Sequence, residues 1–271
     1  MSYFIAPRLQ GRTGNVMFQI ANAYAKSLEY SIPLIVPSEE SAVDHLSQNI
    51  LRNFKFEKID YNILDNYKTI ESTFHYQDLE APSYDKPTRY VGWFQSEKYF
   101  KKYYENIRNA YYPTDEFINK IHNDFNYIDD DVCAINVRRG DYLHFPTRHP
   151  VVTKDYIIES LKLVPKCKKY FILSDDIPWC KENLKIDNSI FIENYWDWKG
   201  LWLMSQCTYF IISNSTYSWW GAYLSKKPNK KVIAPSTWFG PDIPEKIDDI
   251  YCDGWIKVDT KYSDGKIILN I

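Results

Sequence analysis

Short apolar runs alternate with helix-length amphipathic segments along most of this chain of 271 residues. An apolar run at 3–9 predicts a first strand, and another at 32–36 predicts a second. Between these runs, apolar side chains recur at spacings of three and four, as on one face of a helix: Met17, Ile20, Ala21, Tyr24 and Leu28. The segment 97–125 predicts a further helix. The pattern over 38–90 does not fix an order of elements.

A second and more regular alternation begins at residue 132. It predicts strands at 132–137, 169–173, 189–192, 209–213 and 231–234, and helices at about 155–164, 178–185, 198–207 and 217–226. Strands that alternate with helices of this length indicate βαβ units and a parallel sheet. The polar stretch 126–131 is the nearest thing to a linker. We therefore expect an α/β fold with two Rossmann-type, doubly wound domains, 1–128 and 129–271.

Composition and charge limit the class of protein. The hydrophobic fraction of 45% and charged fraction of 25% are those of a soluble globular protein. The net charge of -2 gives no field that would attract nucleic acid or an anionic membrane. No apolar run reaches the roughly 18–20 residues of a membrane span, and residues 1–8 lack the features of a signal peptide. We therefore expect a cytoplasmic protein with no membrane span and no nucleic-acid partner.

The cysteines fit the same location. Their number is odd and no CxxC pair occurs, so the sequence predicts reduced, buried thiols and no zinc site: Cys133, Cys167, Cys180, Cys207 and Cys252.

Two adjacent arginines follow the strand predicted at 132–137. Open α/β sheets bind ligands at the carboxyl ends of their strands, which is where Arg138 and Arg139 fall. A guanidinium donates two parallel charge-assisted hydrogen bonds to a diphosphate. Gly140 allows a sharp turn or a close approach to a ligand. This pattern predicts an anionic ligand, and a surface turn of solvated charges is the alternative.

Three further polar segments lie where a strand meets a helix. The spaced glycines of 11–15 place backbone amides where a phosphate can bind, with a plain tight turn as the alternative. The carboxylates in 174–176 can accept hydrogen bonds from ribose or guanine, or one of them can cap the next helix. The hydroxyl-rich run 214–218 can cradle a phosphate at a helix start, with N-capping as the alternative.

An Asp-x-Asp pair occurs at Asp129 and Asp131. Such a pair can hold a divalent metal, but here it precedes its strand and so lies at the wrong end of the sheet for a ligand. We expect a solvated turn and no metal site there.

Four motifs, in order and with family-like spacing, together resemble the bacterial and viral α-1,2-fucosyltransferases of glycosyltransferase family 11. The family's Gly-Gly-Leu-Gly-Asn-Gln-Met-Phe-Gln is matched by Gly11-Arg-Thr-Gly-Asn-Val-Met-Phe-Gln19, and its His-x-Arg-Arg-Gly-Asp-Tyr by Asn136-Val-Arg-Arg-Gly-Asp-Tyr142. The other two matches are Ser174-Asp-Asp-Ile-Pro-Trp-Cys-Lys181 and Asn214-Ser-Thr-Tyr-Ser-Trp-Trp-Gly-Ala222. The matches cover nearly the whole chain.

The resemblance implies a GT-B-like fold, with two domains facing a cleft and the C-terminal domain binding GDP-fucose. It implies inverting transfer of L-fucose from GDP-β-L-fucose to a hydroxyl of a glycan acceptor, which in this family is O2 of a galactoside, with no metal or other cofactor. The N-terminal domain would carry the first glycine loop and the acceptor side.

The resemblance also assigns roles to residues. Arg138 and Arg139 would neutralise the leaving diphosphate, and Asp141 is the first candidate for the general base, ahead of His144 and His149. Asp141 could instead orient one of the arginines. The donor-binding set is Gly14, Asn15, Asn136, Arg138, Ser174, Asp175, Asn214, Ser215 and Thr216.

Two positions depart from the family pattern. Asn136 stands where the family has His, and Arg12 where it has Gly. Asn cannot titrate, and Arg12 adds a cation close to where a diphosphate would lie. The alternatives are therefore a transferase of the same fold that uses another GDP-6-deoxyhexose, or a non-catalytic protein that binds a GDP-sugar.

Overall fold

A computed structural model describes most of the chain. The described residues are 3–38, 46, 48–60, 64, 67–71, 73–126, 128, 131–195 and 197–270. The contacts form two compact units: unit 1 is Met1–Pro113 with Lys246–Cys252, and unit 2 is Thr114–Glu245 with Asp253–Ile271. These units are sets of contacting residues, and the division into domains 1–128 and 129–271 stays a prediction.

Unit 1 contains short parallel strands and one long helix. The strands are β1 (Ile5–Pro7), β2 (Val36–Pro37), β3 (Phe56–Glu57), β4 (Lys68–Ile70) and β5 (Thr88–Val91), and the helix is α1 (Thr13–Tyr30). One sheet has the order β1-β5-β4, and β2 pairs with β3. The helix predicted after the first strand is confirmed, and its apolar face packs Met17, Ile20 and Ala21 into the core. The run 32–36 is divided between a bridge at Leu34 and strand β2.

The segment 97–125, predicted to be helical, is largely helical but is divided into several elements. The segment consists of 3-10 turns at Glu97–Tyr99 and Lys101–Tyr103, followed by α2 (Tyr104–Tyr111) and α3 (Asp115–Asp124). Pro113 separates the two α-helices, because proline has no amide hydrogen and restricts the residue before it. Thr114 then starts α3 by accepting a hydrogen bond from the amide of Phe117 on its side chain.

Unit 2 is built on a six-stranded parallel sheet. Its strands are β6 (Val132–Val137), β8 (Lys169–Ser174), β9 (Ser189–Phe191), β10 (Tyr209–Ile211), β11 (Lys231–Pro235) and β12 (Ile256–Val258), in the order β12-β11-β10-β6-β8-β9. Besides α3, its helices are α4 (Lys154–Leu161), α5 (Ile177–Asn183), α6 (Trp198–Ser205) and α7 (Thr216–Tyr223). The second alternation of strands and helices is therefore confirmed, with bounds shifted by a few residues.

The sequence did not predict the strands near the C-terminus. Besides β12, a small sheet has the order β13-β14-β7 and consists of β7 (Val151–Val152), β13 (Thr260–Ser263) and β14 (Lys266–Leu269). Asp264 and Gly265 join β13 to β14 with φ angles of 46° and 76°. Two positive φ angles are what a tight hairpin requires, and Asp-Gly supplies them at low cost.

The core of unit 2 explains why its strands were easy to find. All six residues of β6 are buried, as expected for a parallel strand covered on both faces. Trp202, Trp219 and Trp220 are fully buried, so the last two are core residues and not a sugar platform. All five cysteines are buried, free thiols. Over the described part of the chain, every helix is too short or too polar to cross a bilayer.

Candidate functional site

The register of β6 against β8 brings Arg138 and Arg139 beside Asp175. Val137 pairs with Ser174, so the residues after each strand leave the same edge of the sheet side by side. Nη1 of Arg138 lies 2.8 Å from Oδ2 of Asp175, and the Arg139 amide donates to Oδ1 of Asp175 at 2.8 Å. This edge is the carboxyl end of a parallel sheet, the usual ligand position in such folds.

Arg138 is held by two carboxylates. Its second terminal nitrogen, Nη2, contacts Oδ1 of Asp141, in addition to the contact between Nη1 and Asp175. The guanidinium also lies 5.3 Å from the centre of the Tyr142 ring. Asp141 is thus placed to orient Arg138, which is one of the two roles considered for it from the sequence.

Arg139 is held differently. Its Nε donates to Oδ2 of Asp176 at 2.9 Å, and its guanidinium lies 4.1 Å from the centre of the Trp179 ring. Within the described residues, neither Nη1 nor Nη2 of Arg139 has a partner. The contacts with Asp176 and Trp179 therefore fix the direction of the guanidinium, and its terminal fork, Nη1 and Nη2, can donate to a ligand.

The Ser-Asp-Asp segment separates into structural and charged roles. Oδ1 of Asp176 accepts from the amide of Trp179 at 3.2 Å and so caps α5, as one alternative had it. The Ser174 hydroxyl donates to the Val137 carbonyl at 2.7 Å and accepts from the Asp176 amide at 2.9 Å. Asp175 is left as the carboxylate that faces both arginines.

Asn136 is inside the protein and uses both of its polar groups. Its Nδ2 donates to the Leu173 carbonyl at 3.3 Å, and its Oδ1 accepts from the Ser213 hydroxyl at 2.9 Å. The side chain therefore links the ends of β6 and β8 to the residue beyond β10. A donor contact by Asn136 would use a group that is already engaged.

In the run after β10, the side-chain carbonyl of Asn214 is not hydrogen-bonded to any described residue. Nδ2 of Asn214 donates to the carbonyls of Pro150 and Trp238 at 3.0 and 2.8 Å, while its Oδ1 is buried and has no partner among the described residues. Ser215 is the N-cap of α7, yet its side chain makes no capping hydrogen bond. Thr216 is the first residue of that helix. Capping does not account for the hydroxyl of Ser215.

Tyr142 and His149 form a stacked pair beside Arg138. Their ring centres are 4.9 Å apart, and the Tyr142 hydroxyl donates to the Asn214 carbonyl at 3.0 Å. Burial raises the pKa of Tyr142 to about 12, so the phenol keeps its proton. Burial, helped by Arg148, lowers the pKa of His149 below its usual value despite the opposing charge of Asp141. His149 is therefore a neutral imidazole at neutral pH.

The remaining candidates are His144 in unit 2 and the first glycine loop in unit 1. His144 is exposed. In unit 1, Gly11 has a φ of 83°, Gly14 lies buried in the first turn of α1, and Oδ1 of Asn15 accepts from Nε2 of Gln95 at 3.1 Å. The strand–turn–helix context predicted for this loop is confirmed. Its contact with a phosphate stays a prediction.

Asp131 is exposed and precedes β6, at the amino end of the strand, while Asp129 lies outside the described residues. Across the described ranges, no three His, Cys, Asp or Glu side chains are grouped so that they could hold a metal ion.

Trp179 and Tyr142 are the residues of this site that the sequence reasoning did not assign. Both lie within motifs quoted above, but neither has a spacing that predicts its contact. Only the fold shows that the Trp179 ring covers Arg139 and that Tyr142 ties Arg138 to the run after β10.

This chain is similar to known proteins over most of its length. The sequence profile of glycosyl transferase family 11 matches residues 4–259. An α-1,2-colitosyltransferase of Escherichia coli is 30% identical, over 88% of this chain and 93% of its own. The human galactoside α-(1,2)-fucosyltransferase 1 is 28% identical over 34% of this chain and 28% of its own.

A solved structure has the same fold. The α-1,6-fucosyltransferase NodZ, co-crystallised with GDP, matches with a TM-score of 0.51 over 83% of this chain and 92% of its own, at 11% identity. This likeness shows a fold of the GT-B type, as expected from the motifs. The profile match and the full-length relative establish that the chain belongs to glycosyltransferase family 11 and is a glycosyltransferase.

Proposed function

We propose that this enzyme transfers L-fucose from GDP-β-L-fucose to a sugar hydroxyl, O2 of a galactoside, with inversion and without a metal. The observation that carries the proposal is the pair Arg138 and Arg139, held by carboxylates at the carboxyl edge of the unit 2 sheet. Its family membership and the α-1,2 linkage in the names of its relatives support the acceptor position.

The two arginines would take different parts of the work. Arg139, with its uncommitted terminal fork, binds the leaving diphosphate, each charge-assisted hydrogen bond contributing about 1.5–3 kcal/mol. Arg138, oriented by Asp141 and Asp175, supplies the second positive charge. These contacts accelerate transfer to the extent that they strengthen as charge builds on GDP.

The balance of charge favours a guanine nucleotide. Two guanidinium groups, Arg138 and Arg139, face three carboxylates, Asp141, Asp175 and Asp176. An anion that binds here gains from bringing hydrogen-bond donors to those carboxylates. Guanine offers the N1–H and the 2-amino group, and ribose offers two hydroxyls, so Asp175 would contact the base or the ribose.

The remaining donor-binding residues would supply neutral hydrogen bonds. These are Gly14, Asn15, Asn136, Ser174, Asn214, Ser215 and Thr216. Two observations support this most directly. The hydroxyl of Ser215 makes no capping hydrogen bond to α7, and Oδ1 of Asn214 has no partner among the described residues.

In the transfer, the bond from C1 of fucose to the β-phosphate oxygen breaks and its electron pair leaves with GDP. The acceptor oxygen bonds to C1 from the opposite face, and its proton passes to a base. Asp141 is the first candidate, although Arg138 already contacts its Oδ1. The neutral imidazole of His149 is the second.

Calorimetric titration with GDP and then GDP-fucose, with and without EDTA, tests the donor and the absence of a metal. We expect both ligands to bind and EDTA to leave the affinity unchanged. Incubation with GDP-fucose and lactose, followed by NMR of the product, tests the linkage. Binding that EDTA abolishes would contradict the metal-free proposal, and a product linked elsewhere than O2 would contradict the acceptor position.

A second candidate uses another GDP-6-deoxyhexose as donor. It is favoured by the relative named as an α-1,2-colitosyltransferase, because colitose is fucose without its 3-hydroxyl. Turnover of GDP-fucose and GDP-colitose, compared at equal concentration, decides between the two donors. The third alternative, a non-catalytic GDP-sugar-binding protein, has no support from relatives that are named as transferases.

A further inference from the structure

Unit 1 has a carboxylate at the carboxyl edge of its own parallel sheet. Glu71 is the first residue after β4, and Gly92 is the first residue after β5. The Glu71 amide donates to the Val91 carbonyl at 2.9 Å, which continues the ladder by one step. This is the edge of a parallel sheet at which ligands bind.

The Glu71 carboxylate organises the loop that follows β5. Its Oε2 accepts from the amides of Trp93 and Phe94 at 2.6 and 2.8 Å, and its Oε1 accepts from the Tyr99 hydroxyl at 2.9 Å. Burial raises the pKa of Glu71, although these three donors oppose the shift. Burying a carboxylate costs stability unless it is well paired. The three donors supply that pairing, and by doing so they fix the position of this loop.

The loop has little freedom around that carboxylate. A Cβ on Gly92 would lie 2.5 Å from Cβ of Glu71 and 2.7 Å from its Oε2, so only glycine fits. Phe94 has a φ of 52°, which a bulky residue adopts only when its surroundings impose it. Such strain persists where the surrounding structure over-determines it, and it is common at ligand sites.

A second carboxylate fixes the facing segment. Asp249 accepts from the Tyr76 amide at 2.9 Å, lies 3.2 Å from Nδ1 of His75, and pairs with Lys98. Burial would raise the pKa of Asp249, but the hydrogen bonds from Lys98, Tyr76 and His75 outweigh it and lower the pKa. Two carboxylates thus hold the segments on either side of Phe74 and Trp93.

What these anchors hold in place is a pair of aromatic rings. The rings of Phe74 and Trp93 are 6.5 Å apart and within 9° of parallel, and both side chains are partly exposed. Flat aromatic faces fixed in advance bind a ligand without the entropy cost of ordering them. A β-galactoside has a matching apolar face, formed by its hydrogens on C3, C4 and C5.

We propose that Phe74 and Trp93 form a sugar-binding subsite that takes a pyranose ring of the acceptor glycan, and that Glu71 is the positioning residue that holds it. This deepens the proposed function and rests on the acceptor being a glycan.

Saturation-transfer NMR tests the subsite without requiring turnover. The probes are methyl α- and β-galactosides, glucosides and mannosides, with GDP present and the aromatic protons irradiated. We expect transfer to at least one glycoside in the wild type, and at least a tenfold loss of affinity in Trp93→Ala and Phe74→Ala. Tyr84→Ala is the matched control, because Tyr84 is an aromatic residue of unit 1 with 62% exposure. No saturation transfer in the wild type, or equal transfer in all variants, would overturn the proposal.

The role of Glu71 is tested by a conservative pair. Glu71→Gln keeps one carbonyl oxygen for the amides of Trp93 and Phe94, so we expect glycoside affinity close to that of the wild type. Glu71→Ala releases the loop, so affinity should fall as in Trp93→Ala while GDP affinity is unchanged. A melting curve for each variant checks folding. Equal loss in both variants would mean that Glu71 does not act by holding the loop.

The outcome is distinct from that of the proposed function. If the wild type binds glycosides through Trp93 but transfers no fucose to lactose, the subsite stands and the galactoside assignment fails. If the wild type transfers fucose to lactose and the acceptor KM is the same in Trp93→Ala and Phe74→Ala, the subsite fails and the assignment stands.

Discussion

A Cβ placed on Gly140 would lie 2.4 Å from Oδ2 of Asp175, the oxygen that also holds Nη1 of Arg138 at 2.8 Å. The glycine of the Arg-Arg-Gly-Asp motif therefore makes room for the carboxylate that orients the first arginine. Its importance comes from this close approach and not from a left-handed backbone.

Gly140→Ala is expected to displace Asp175 and weaken GDP binding about tenfold, which corresponds to about 1.4 kcal/mol. Calorimetry with GDP measures the effect. The matched control is the same substitution in an Asp175→Ala background, where the clashing oxygen is gone. We expect Gly140→Ala to add little there, because the two changes act on one contact. Additive losses in the double variant would refute this account.

Arg139 is expected to be needed for its fork and not only for its charge. Arg139→Ala should reduce kcat about 10²–10³-fold, the range seen when one transition-state donor is removed. Arg139→Lys retains the charge but loses the contact to Asp176 and the two-pronged geometry, so it should recover only a small part of the rate. Lys185→Ala, an exposed change on the same unit, is the control. Full activity in Arg139→Lys would show that the positive charge is enough and that the two-pronged geometry of the guanidinium is not required.

His149 is expected to make stability depend on pH. Its folded pKa is lowered, so between that value and about 6.5 the unfolded chain binds the proton and the folded protein does not. The contribution of His149 to the free energy of unfolding should therefore be fully present above about pH 6.5. Below that pH, the free energy of unfolding should fall. Urea melts from pH 8 to pH 5 on the wild type and His149→Phe measure this. Phenylalanine keeps the stacking on Tyr142, so parallel curves would show that His149 is not responsible.

Asn136 is expected to matter for stability as much as for activity. Asn136→Ala leaves the Ser213 hydroxyl and the Leu173 carbonyl without their buried partner, which costs about 1–3 kcal/mol. Chemical denaturation measures the change in unfolding free energy, and GDP titration of the same variant separates it from a donor contact. A loss of GDP affinity with unchanged stability would show instead that Asn136 acts on the nucleotide.

The parallel sheet of unit 2 was predictable because its strands are buried on both faces and read as apolar runs. In the structure, Val137 of β6 pairs with Ser174 of the neighbouring strand β8, and this register brings Arg138 and Asp175 together. The motif positions could be predicted for the same reason. The pairing inside the site could not, because which carboxylate contacts which arginine depends on side-chain directions that the sequence pattern does not contain.

Unit 1 was less predictable for a physical reason. Strands β2 and β3 have two residues each and β4 has three, too few for a repeat of apolar and polar positions to show. The break at Pro113 has a different cause. The apolar periodicity of 97–125 predicts a helix throughout, whereas Pro113 lies between two separate helices. Glu71 has no motif at all, and only its three hydrogen-bond donors single it out.

The short segment Lys246–Cys252 belongs to unit 1, although the chain on both sides of it belongs to unit 2. During synthesis, residues up to Pro113 leave the ribosome first, and Asp249 follows only after the whole run Thr114–Glu245. At roughly 5–20 residues per second, that delay is on the order of ten seconds. During this interval the carboxylate of Asp249 is absent from its partners His75, Tyr76 and Lys98. Unit 1 therefore begins to emerge before unit 2 but cannot be completed until nearly all of unit 2 has been made.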